Sequence, residues 1–305
     1  MPELPEVETM RRGLEGLVGR RVAAVAFPRS RVRPSSVEPR PLAIARRIEG
    51  RTIAAVVRRG KRLVIELAGS TRGEPPVWLA IEPRMTGLAL VADPPTREHV
   101  RLVIELVPTP ARGAATRFVF WDRRGLGTIR LFDAMELEAA CGMAKLGPDG
   151  LGVTADDLAS RLGGSRRGVK VALLDQRAVA GIGNIYAAEI LHRARIDPRT
   201  PCVRIRRDAW ERIADVARAL LAEAVRHEGS SLGDDTYRTA DNRFGRFQRR
   251  HRVYGRAGEP CKACGTAIVR IVQAQRATFF CPSCQRRPGR AITAGCGVAS
   301  RTRLP

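Results

Sequence analysis

Lysine is scarce in this 305-residue chain: four of its 54 basic residues are lysines, namely Lys61, Lys145, Lys170 and Lys262. Long apolar runs are also missing, because no segment approaches the roughly 18 consecutive apolar residues that a membrane-spanning helix needs. The first residues lack the pattern of a secretory signal peptide. These absences argue against a membrane protein and a secreted protein, and we expect a cytoplasmic, nucleoid-associated location in a bacterium.

Positive charge dominates, with a formal net charge of +23 and a pI of about 11.3. Such a charge favours a polyanion, above all nucleic acid, as the partner. General solubility and a biased genome are the alternative explanations, and the excess of arginine over lysine suggests GC-rich coding. Individual arginines therefore carry little information, whereas the four lysines carry more.

Four of the seven cysteines form two Cys-x2-Cys pairs with 16 residues between the pairs: Cys261, Cys264, Cys281 and Cys284. Four soft thiolates at this spacing predict one closed, tetrahedral zinc site of structural type. Disulfides are the alternative, but a chain without a secretion signal favours metal.

The order of predicted elements divides the chain. Short β-branched segments at 21–27, 62–67, 77–81, 100–106, 117–121 and 128–131 follow an N-terminal helix and predict a sandwich or barrel. Residues 153–225 have helical periodicity, and a polar segment from Gly229 to Gly245 predicts a mobile loop. We expect an α+β protein with a β-sandwich domain (1–148), a helical domain with this loop (149–245), a zinc ribbon (246–284) and a disordered basic tail (285–305).

The first residues permit an unusual chemistry. Removal of Met1 would leave Pro2 as a free secondary amine beside Glu3. An amine with a pKa near about 8 is readily deprotonated and can form an iminium with a sugar carbon, and a neighbouring carboxylate can move the protons. The alternative is an ordinary helix start, with Pro5 in the first turn and glutamates at the positive end of the helix dipole. Spacing alone favours this second interpretation.

The opening Pro-Glu-Leu-Pro-Glu resembles the formamidopyrimidine-DNA glycosylase family, and the resemblance extends to Cys284. It implies a bifunctional repair enzyme acting on damaged double-stranded DNA. By the same resemblance, Pro2 is the catalytic amine, Glu3 is the general acid/base, and Lys61 contacts the phosphate near the damaged nucleotide. If Met1 stayed attached, the nitrogen of Pro2 would be an inert amide.

A second motif, Gly181-Ile182-Gly183-Asn184-Ile185-Tyr186-Ala187, precedes a helix. Asn184 is predicted to cap that helix, and a glycine-rich turn before a helix N-terminus is a natural phosphate site. Turn chemistry alone favours a simple helix-turn-helix corner. The string is similar to the family's helix–two-turns–helix motif, which implies that Asn184 and Lys170 grip phosphates beside the lesion. A solvated surface lysine is the alternative for Lys170.

Two further DNA contacts follow from the resemblance. Gln275 to Phe280, between the cysteine pairs, matches the zinc-finger loop and makes Arg276 the arginine that clamps DNA. Met85 matches the methionine that fills the gap left by an extruded nucleotide, although a core methionine is the alternative.

The gap-filling loops depart from the family pattern. Residues 82–84 are Glu-Pro-Arg where the family has His-Leu-Gly, and residues 122–127 are Asp-Arg-Arg-Gly-Leu-Gly where it has Asp-Pro-Arg-Arg-Phe-Gly. The arginine that reads the cytosine opposite the lesion therefore falls on Gly125, and the aromatic wedge on Leu126, which stacks less well. Arg123 or Arg124 remain as substitutes for the missing arginine. Gly245-Arg246-Phe247 also differs from the family's Gly-Tyr-Phe.

We therefore expect a monomeric glycosylase and abasic-site lyase for oxidised purines, with weak preference for cytosine opposite the lesion. One alternative is an endonuclease VIII-like preference for oxidised pyrimidines or abasic sites. Another is a non-catalytic binder of damaged DNA, and a third is a zinc-ribbon protein associated with RNA or ribosomes.

Overall fold

The computed structural model describes residues 2–29, 33–71, 73–109, 115–142, 144–233 and 236–286. Its first half contains nine strands: β1 (Val22–Ala26), β2 (Ser36–Glu38), β3 (Thr52–Arg59), β4 (Arg62–Ala68), β5 (Val77–Glu82), β6 (Gly87–Leu90), β7 (Val100–Leu106), β8 (Arg117–Asp122) and β9 (Thr128–Phe132). They form two β-sheets among the described residues, with strand orders β1-β7-β8-β6 and β2-β9-β5-β4-β3. Side chains from both sheets meet in one core, which includes Leu63 and Ile65 from one sheet and Phe118 and Phe120 from the other. The predicted sandwich is confirmed.

Sequence patterns missed three of these strands. β2 has only three residues, β6 is the fully buried Gly-Leu-Ala-Leu, and β3 is interrupted by alanines and arginines. None of them shows the alternation of polar and apolar residues on which strand prediction depends. Two short helices complete this half, α2 (Pro41–Ile48) and α3 (Ala134–Cys141).

The N-terminal helix α1 (Leu4–Gly13) joins the two halves of the molecule. Leu4 is buried in the core of the helical domain, whereas Val7 and Met10 are buried in the sandwich core. The helix has a proline in its first turn, as predicted, and it also begins with a capping box between Glu3 and Glu6. Because both cores hold α1, the residues just before it have little freedom to move.

The second half is helical, with α4 (Ala155–Leu162), α5 (Val169–Ala172), α6 (Asn184–Arg193) and α7 (Arg207–Arg226). The apolar stripe predicted for the last helix is buried along α7, from Trp210 to Ala224. No helix among the described residues is both long and apolar enough to cross a membrane.

The segment 229–245 differs from the mobile loop predicted for it. Ser230, Ser231, Tyr237 and Ala240 are buried, and the carbonyl oxygen of Ala240 accepts a hydrogen bond of 3.0 Å from the backbone N–H of Val91. Tyr237 and Ala240 belong to the sandwich core, so the described part of this segment packs back onto the first half of the chain. The polar composition of this segment did not predict these buried contacts.

The zinc ribbon contains the hairpin β10 (Val269–Gln273) and β11 (Arg276–Phe280). Ala274 and Gln275 connect the strands with φ angles of 45° and 60°, which is typical of a type I′ turn. Arg276 therefore lies at the exposed tip of the hairpin, as expected. Residues 287–305 of the predicted basic tail lie outside the described residues.

Candidate active site and nucleic-acid interface

Glu3 is buried at the N-terminus of α6, about 180 residues away in sequence. Its carboxylate accepts hydrogen bonds from the backbone N–H groups of Ile185 at 2.9 Å and Tyr186 at 3.3 Å. A carboxylate in this position caps the helix and interacts favourably with its dipole. The prediction that Asn184 caps this helix is wrong: α6 begins at Asn184 and no local side chain caps it.

Gly183 makes the approach of Glu3 possible. A Cβ atom at Gly183 would lie 2.3 Å from the carboxyl carbon of Glu3, which is far inside van der Waals contact. Glycine is therefore required at position 183 because the carboxylate lies so close to it. The backbone conformation is not the reason, since any residue can adopt a φ of −130°. Close backbone approach is one of the uses to which proteins put this residue.

Asn184 instead joins Lys170 to the zinc-ribbon hairpin. Its Nδ2 donates to the carbonyl oxygen of Ala277 at 3.0 Å, and its Oδ1 accepts from the Lys170 ammonium. Lys170 is fully buried as a residue, so the alternative of a solvated surface lysine is wrong. Burial, reinforced by the positive charge of Arg276, lowers the pKa of Lys170 to about 8. The structure thus brings together three of the residues predicted to grip phosphates.

Lys61 lies in the two-residue turn between β3 and β4, one position before β4 begins. Burial lowers the pKa of Lys61, the negative charge of Glu3 opposes this effect, and Arg276 adds to it. These neighbours place Lys61 in the same charged group as Glu3 and Arg276. We call Glu3, Lys61, Lys170, Asn184 and Arg276 the Glu3 cluster.

Glu6 connects this cluster to the segment 229–245, a role that sequence reasoning missed. Its carboxylate accepts from the backbone N–H of Glu3 at 2.9 Å, the backbone N–H of Ser230 at 2.8 Å and the Tyr186 hydroxyl at 2.6 Å. Burial, followed by the charge of Glu3, raises the pKa of Glu6. The Glu-x-x-Glu spacing was a signal for the first of these contacts only, since the other two partners are distant in sequence.

Pro2 is buried beside Glu3, and Met1, whose removal the sequence-based mechanism needs, lies outside the described residues. The described residues do fix the position of Glu3, the next residue along the chain. Glu3 is held by two N–H groups and cannot swing away without breaking both bonds. The nitrogen of Pro2 therefore lies one residue before a carboxylate that is held in a fixed position, and a carboxylate so placed in the chain is a candidate to move protons.

Met85 and Arg124 meet at a second, exposed place. Met85 is 40% exposed, which excludes the core-methionine alternative, and its sulfur lies 3.2 Å from Nη1 of Arg124. The backbone N–H of Arg124 donates to the Thr86 hydroxyl at 3.0 Å and to a carboxylate oxygen of the buried Asp122 at 3.2 Å. We call residues 82–87 and 122–127 the wedge loops.

Gly125 and Leu126 complete the wedge loops. Gly125 has a φ of 62°, and a Cβ atom there would lie 2.0 Å from the carbonyl oxygen of Arg33. An arginine at this position would therefore require the backbone to move. Leu126 is partly buried, and Arg123 donates to the Thr236 hydroxyl at 2.8 Å, which ties one wedge loop to the segment 229–245.

The four cysteine sulfurs predicted to hold zinc lie within 4.8 Å of one another. The Sγ atoms of Cys264 and Cys281 are 3.4 Å apart, and those of Cys261 and Cys284 are 3.9 Å apart. Tetrahedral coordination with Zn–S bonds near 2.3 Å separates the sulfurs by about 3.8 Å. The donor set therefore fits one structural zinc ion, and four thiolates leave no position for a reacting water.

Comparisons with known proteins agree along the chain. The family model described as the formamidopyrimidine-DNA glycosylase N-terminal domain matches residues 1–129, that of the formamidopyrimidine-DNA glycosylase H2TH domain matches 146–236, and that of the zinc finger found in FPG and IleRS matches 258–287. The formamidopyrimidine-DNA glycosylase of Rhodospirillum centenum is 41% identical over 94% of this chain and all of its own length.

Solved structures give the same result. The MutM (FPG) protein of Thermus thermophilus is 38% identical, with a TM-score of 0.78 over 93% of this chain and 98% of its own. The Lactococcus lactis Fpg, solved with DNA that contains an abasic site, is 30% identical, with a TM-score of 0.80 over 93% of this chain and 100% of its own. The family models, the relatives and the solved structures agree with the sandwich, the helix capped by Glu3 and the zinc ribbon: the chain belongs to the formamidopyrimidine-DNA glycosylase family.

Proposed function

We propose that this chain excises oxidised purines, of the formamidopyrimidine and 8-oxoguanine type, from double-stranded DNA and then cleaves the strand at the resulting abasic site. Relatives that carry the family name and a Lactococcus lactis relative solved with Fapy-dG DNA support the substrate class. The net charge of +23 supports a polyanionic partner. A monomeric state, a cytoplasmic location and the domain divisions at 148, 245 and 284 remain predictions.

In the proposed mechanism, the damaged nucleotide leaves the base stack and its C1′ atom approaches Pro2. The lone pair of the Pro2 amine forms a bond to C1′, and the bond from C1′ to the base breaks, so the base leaves with a proton. Glu3 accepts and returns protons while the sugar ring opens at O4′ to give an iminium. Loss of a proton from C2′ then expels the 3′ phosphate, and a second elimination expels the 5′ phosphate.

The other residues hold the DNA in this proposal. Lys61, Lys170, Asn184 and Arg276 contact phosphates around the lesion, where three cations and an amide give hydrogen bonds to phosphate oxygens. Met85 and Leu126 fill the gap in the duplex, with Arg124 beside them. Zinc keeps the hairpin folded so that Arg276 and the carbonyl oxygen of Ala277 stay beside Lys170.

The arrangement of Glu3 carries the proposal. A non-catalytic DNA-binding protein has no need of a buried carboxylate fixed by two helix N–H groups next to a terminal secondary amine. The departures in the wedge loops affect the choice of the opposite base and leave this arrangement intact. We therefore place the altered selectivity in the wedge loops and the chemistry in the Glu3 cluster.

Borohydride trapping on duplex DNA with an abasic site tests the chemistry. We expect a covalent adduct that mass spectrometry maps to the nitrogen of Pro2. A protein that keeps an N-terminal tag, in which this nitrogen is an amide, should give no adduct although it still binds the duplex. An adduct on Lys61 would replace the proposed nucleophile, and binding without any adduct would favour the non-catalytic alternative.

The substrate class has its own test. Release of formamidopyrimidine and of an oxidised pyrimidine is compared on otherwise identical duplexes. We expect faster release of the purine product, and faster release of the pyrimidine would favour an endonuclease VIII-like enzyme.

A further inference from the structure

A cavity of about 440 Å³ lies between the end of α6 and the start of α7. Five arginines line it: Arg195, Arg204, Arg206, Arg212 and Arg286. Its apolar lining comes from short side chains such as Ala209 and from two isoleucines, so the cavity joins a small apolar surface to a concentrated positive charge.

Acidic residues neutralise only part of this charge. Asp208 pairs with Arg206 at 3.3 Å and with Arg212 at 2.7 Å. Asp197 also lines the cavity, but it is 1% exposed and holds Arg199, a residue outside the lining, at 2.6 Å. Arg195, Arg204 and Arg286 take part in no ion pair among the described residues, so no carboxylate there lies within ion-pair distance of them.

The N-terminus of α7 adds partial positive charge. This helix has 20 residues, and no side chain caps its first turn. At the end of α6, the carbonyl oxygens of Ile190, Leu191 and His192 already accept hydrogen bonds from backbone N–H groups. The cavity therefore meets the positive end of the longer helix, and three of the last carbonyl oxygens of the shorter one are already bonded.

Thr200 is an independent sign of a ligand. It lines the same cavity, it is 4% exposed, and its hydroxyl has no hydrogen-bond partner among the described residues. A buried hydroxyl without a partner is energetically unfavourable, because it has lost its hydrogen bonds to water without replacing them. Arginines, a helix N-terminus and a hydroxyl together form the set of donors that proteins use for phosphate.

The cavity is separate from the Glu3 cluster. Asn184 is the first residue of α6, and Arg195 comes two residues after its last residue, Arg193. At 1.5 Å per residue, the two ends of this helix are about 14 Å apart. The α6 side of the cavity is therefore distant from a phosphate bound at Asn184, whereas the backbone of Thr200 lies closer to the cluster, since its carbonyl oxygen accepts a hydrogen bond of 2.8 Å from Val169, the neighbour of Lys170.

We propose that this cavity is a second phosphate-binding site, outside the catalytic centre. Its ligand is a phosphate group, either free phosphate or a phosphodiester from a second segment of nucleic acid. Arg195, Arg204 and Arg286 supply the charge, and the hydroxyl of Thr200 donates to a phosphate oxygen. The site stands on its own observations and does not depend on the proposed catalytic function.

Inorganic phosphate is the first probe, titrated into the zinc-loaded full chain against sodium chloride of the same ionic strength. Calorimetry should show saturable binding in the Arg276→Gln background, which weakens the phosphate site beside Lys170. Thr200→Val and Arg204→Gln should each weaken this binding at least tenfold. Arg226→Gln removes the same charge from the exposed far end of α7 and should leave it unchanged.

The free energy of unfolding separates a ligand site from a structural role. Thr200→Val removes a hydroxyl that has no partner among the described residues, so the phosphate-free protein should be equally or more stable. Stabilisation by phosphate should disappear in this variant. Equal stabilisation by phosphate and chloride, or an equal loss in Arg226→Gln, would overturn the proposal.

A second arm identifies the source of the phosphate group. The protein is first saturated with one lesion-containing duplex, and an undamaged duplex is then added. Capture of the second duplex that is sensitive to Thr200→Val indicates a nucleic-acid phosphodiester. Binding of inorganic phosphate without capture indicates a free phosphate, and failure of both measurements removes the site.

Discussion

The Glu3 cluster and the wedge loops differ in how tightly the rest of the molecule fixes them. In the cluster, contacts of Glu3, Lys170 and Asn184 join helices and a hairpin, and each of these contacts is buried or partly buried. In the wedge loops, Met85 and Arg124 contact each other at the surface. A change in the cluster breaks several bonds at once, whereas a change in the loops breaks few. The sequence-based expectation follows the same division, since the resemblance covers the residues of the first region and departs from the family pattern in the second.

The largest effect is expected from Gly183→Ala. Its Cβ atom would lie 2.3 Å from the carboxyl carbon of Glu3 and displace the carboxylate from α6. Because misplacement of a catalytic group by about 1 Å can cost 100-fold in rate, we expect at least that loss in single-turnover base release. Gly164→Ala, where a Cβ atom meets nothing within 4 Å, is the matched control. Equal rates for the two variants would show that Glu3 needs no fixed position.

Loss of zinc should have the next largest effect. Cys264→Ser removes one thiolate and should release the hairpin that carries Arg276 and Ala277. We expect DNA affinity to fall at least tenfold in a fluorescence anisotropy titration. The β-sandwich should still unfold cooperatively, because its core contains none of the four cysteines. Unchanged affinity in a protein shown to be free of zinc would contradict this prediction.

Gly125→Arg tests the wedge loops. The substitution restores the family's residue type, but the φ of 62° and the carbonyl oxygen of Arg33 at 2.0 Å from its Cβ atom oppose it. We expect a loss of about 1–3 kcal/mol in the free energy of unfolding, without a gain in preference for cytosine.

Rates on one lesion opposite each of the four bases measure that preference. Gly16→Arg, at a site with open space, controls for the added charge. A strong cytosine preference in the unmodified chain would show that Arg123 or Arg124 replaces the missing arginine.

The pH dependence of DNA binding should report Lys170. With a pKa of about 8, its ammonium is charged at pH 7 and mostly neutral at pH 9, so affinity should fall severalfold over this range. The contribution of Lys170 to the free energy of unfolding should rise between about pH 8 and 10.5, because the unfolded lysine still binds a proton that the folded one has lost. Lys170→Gln should bind weakly with no such pH dependence, and a persistent slope would assign it to another group.

The smallest effect is expected from Arg84→Gly. Arg84 has a φ of 55°, in the left-handed region that favours glycine, and the family has glycine at this position. We expect a gain of up to about 1 kcal/mol in the free energy of unfolding from urea titration. Arg84→Ala loses the same charge but keeps the strain, so it should show no gain. Equal gains in both variants would point to charge relief.

Local patterns predicted much of this molecule. The apolar stripe of α7, six of the nine sandwich strands and the four cysteines follow from short-range periodicity, composition and spacing. β6 was missed because a fully buried Gly-Leu-Ala-Leu has no alternation, and the segment 229–245 was misjudged because buried backbone and hydroxyl contacts compensate for its polarity. Asn184 was assigned a local role as a cap because a sequence motif shows only neighbours along the chain.

The sequence alone determined which groups are available: a proline and a glutamate at the start, a glycine-asparagine turn, two lysines and a cysteine quartet. Only the tertiary structure decided that Glu3 caps α6, that Lys170 is buried against Asn184 and Ala277, and that Gly125 lies against the backbone of Arg33. The reason is physical: a helix N-terminus needs a hydrogen-bond acceptor but does not specify where along the chain it originates. The packing of α1 against both cores is what places Glu3 at the N-terminus of α6 as this acceptor.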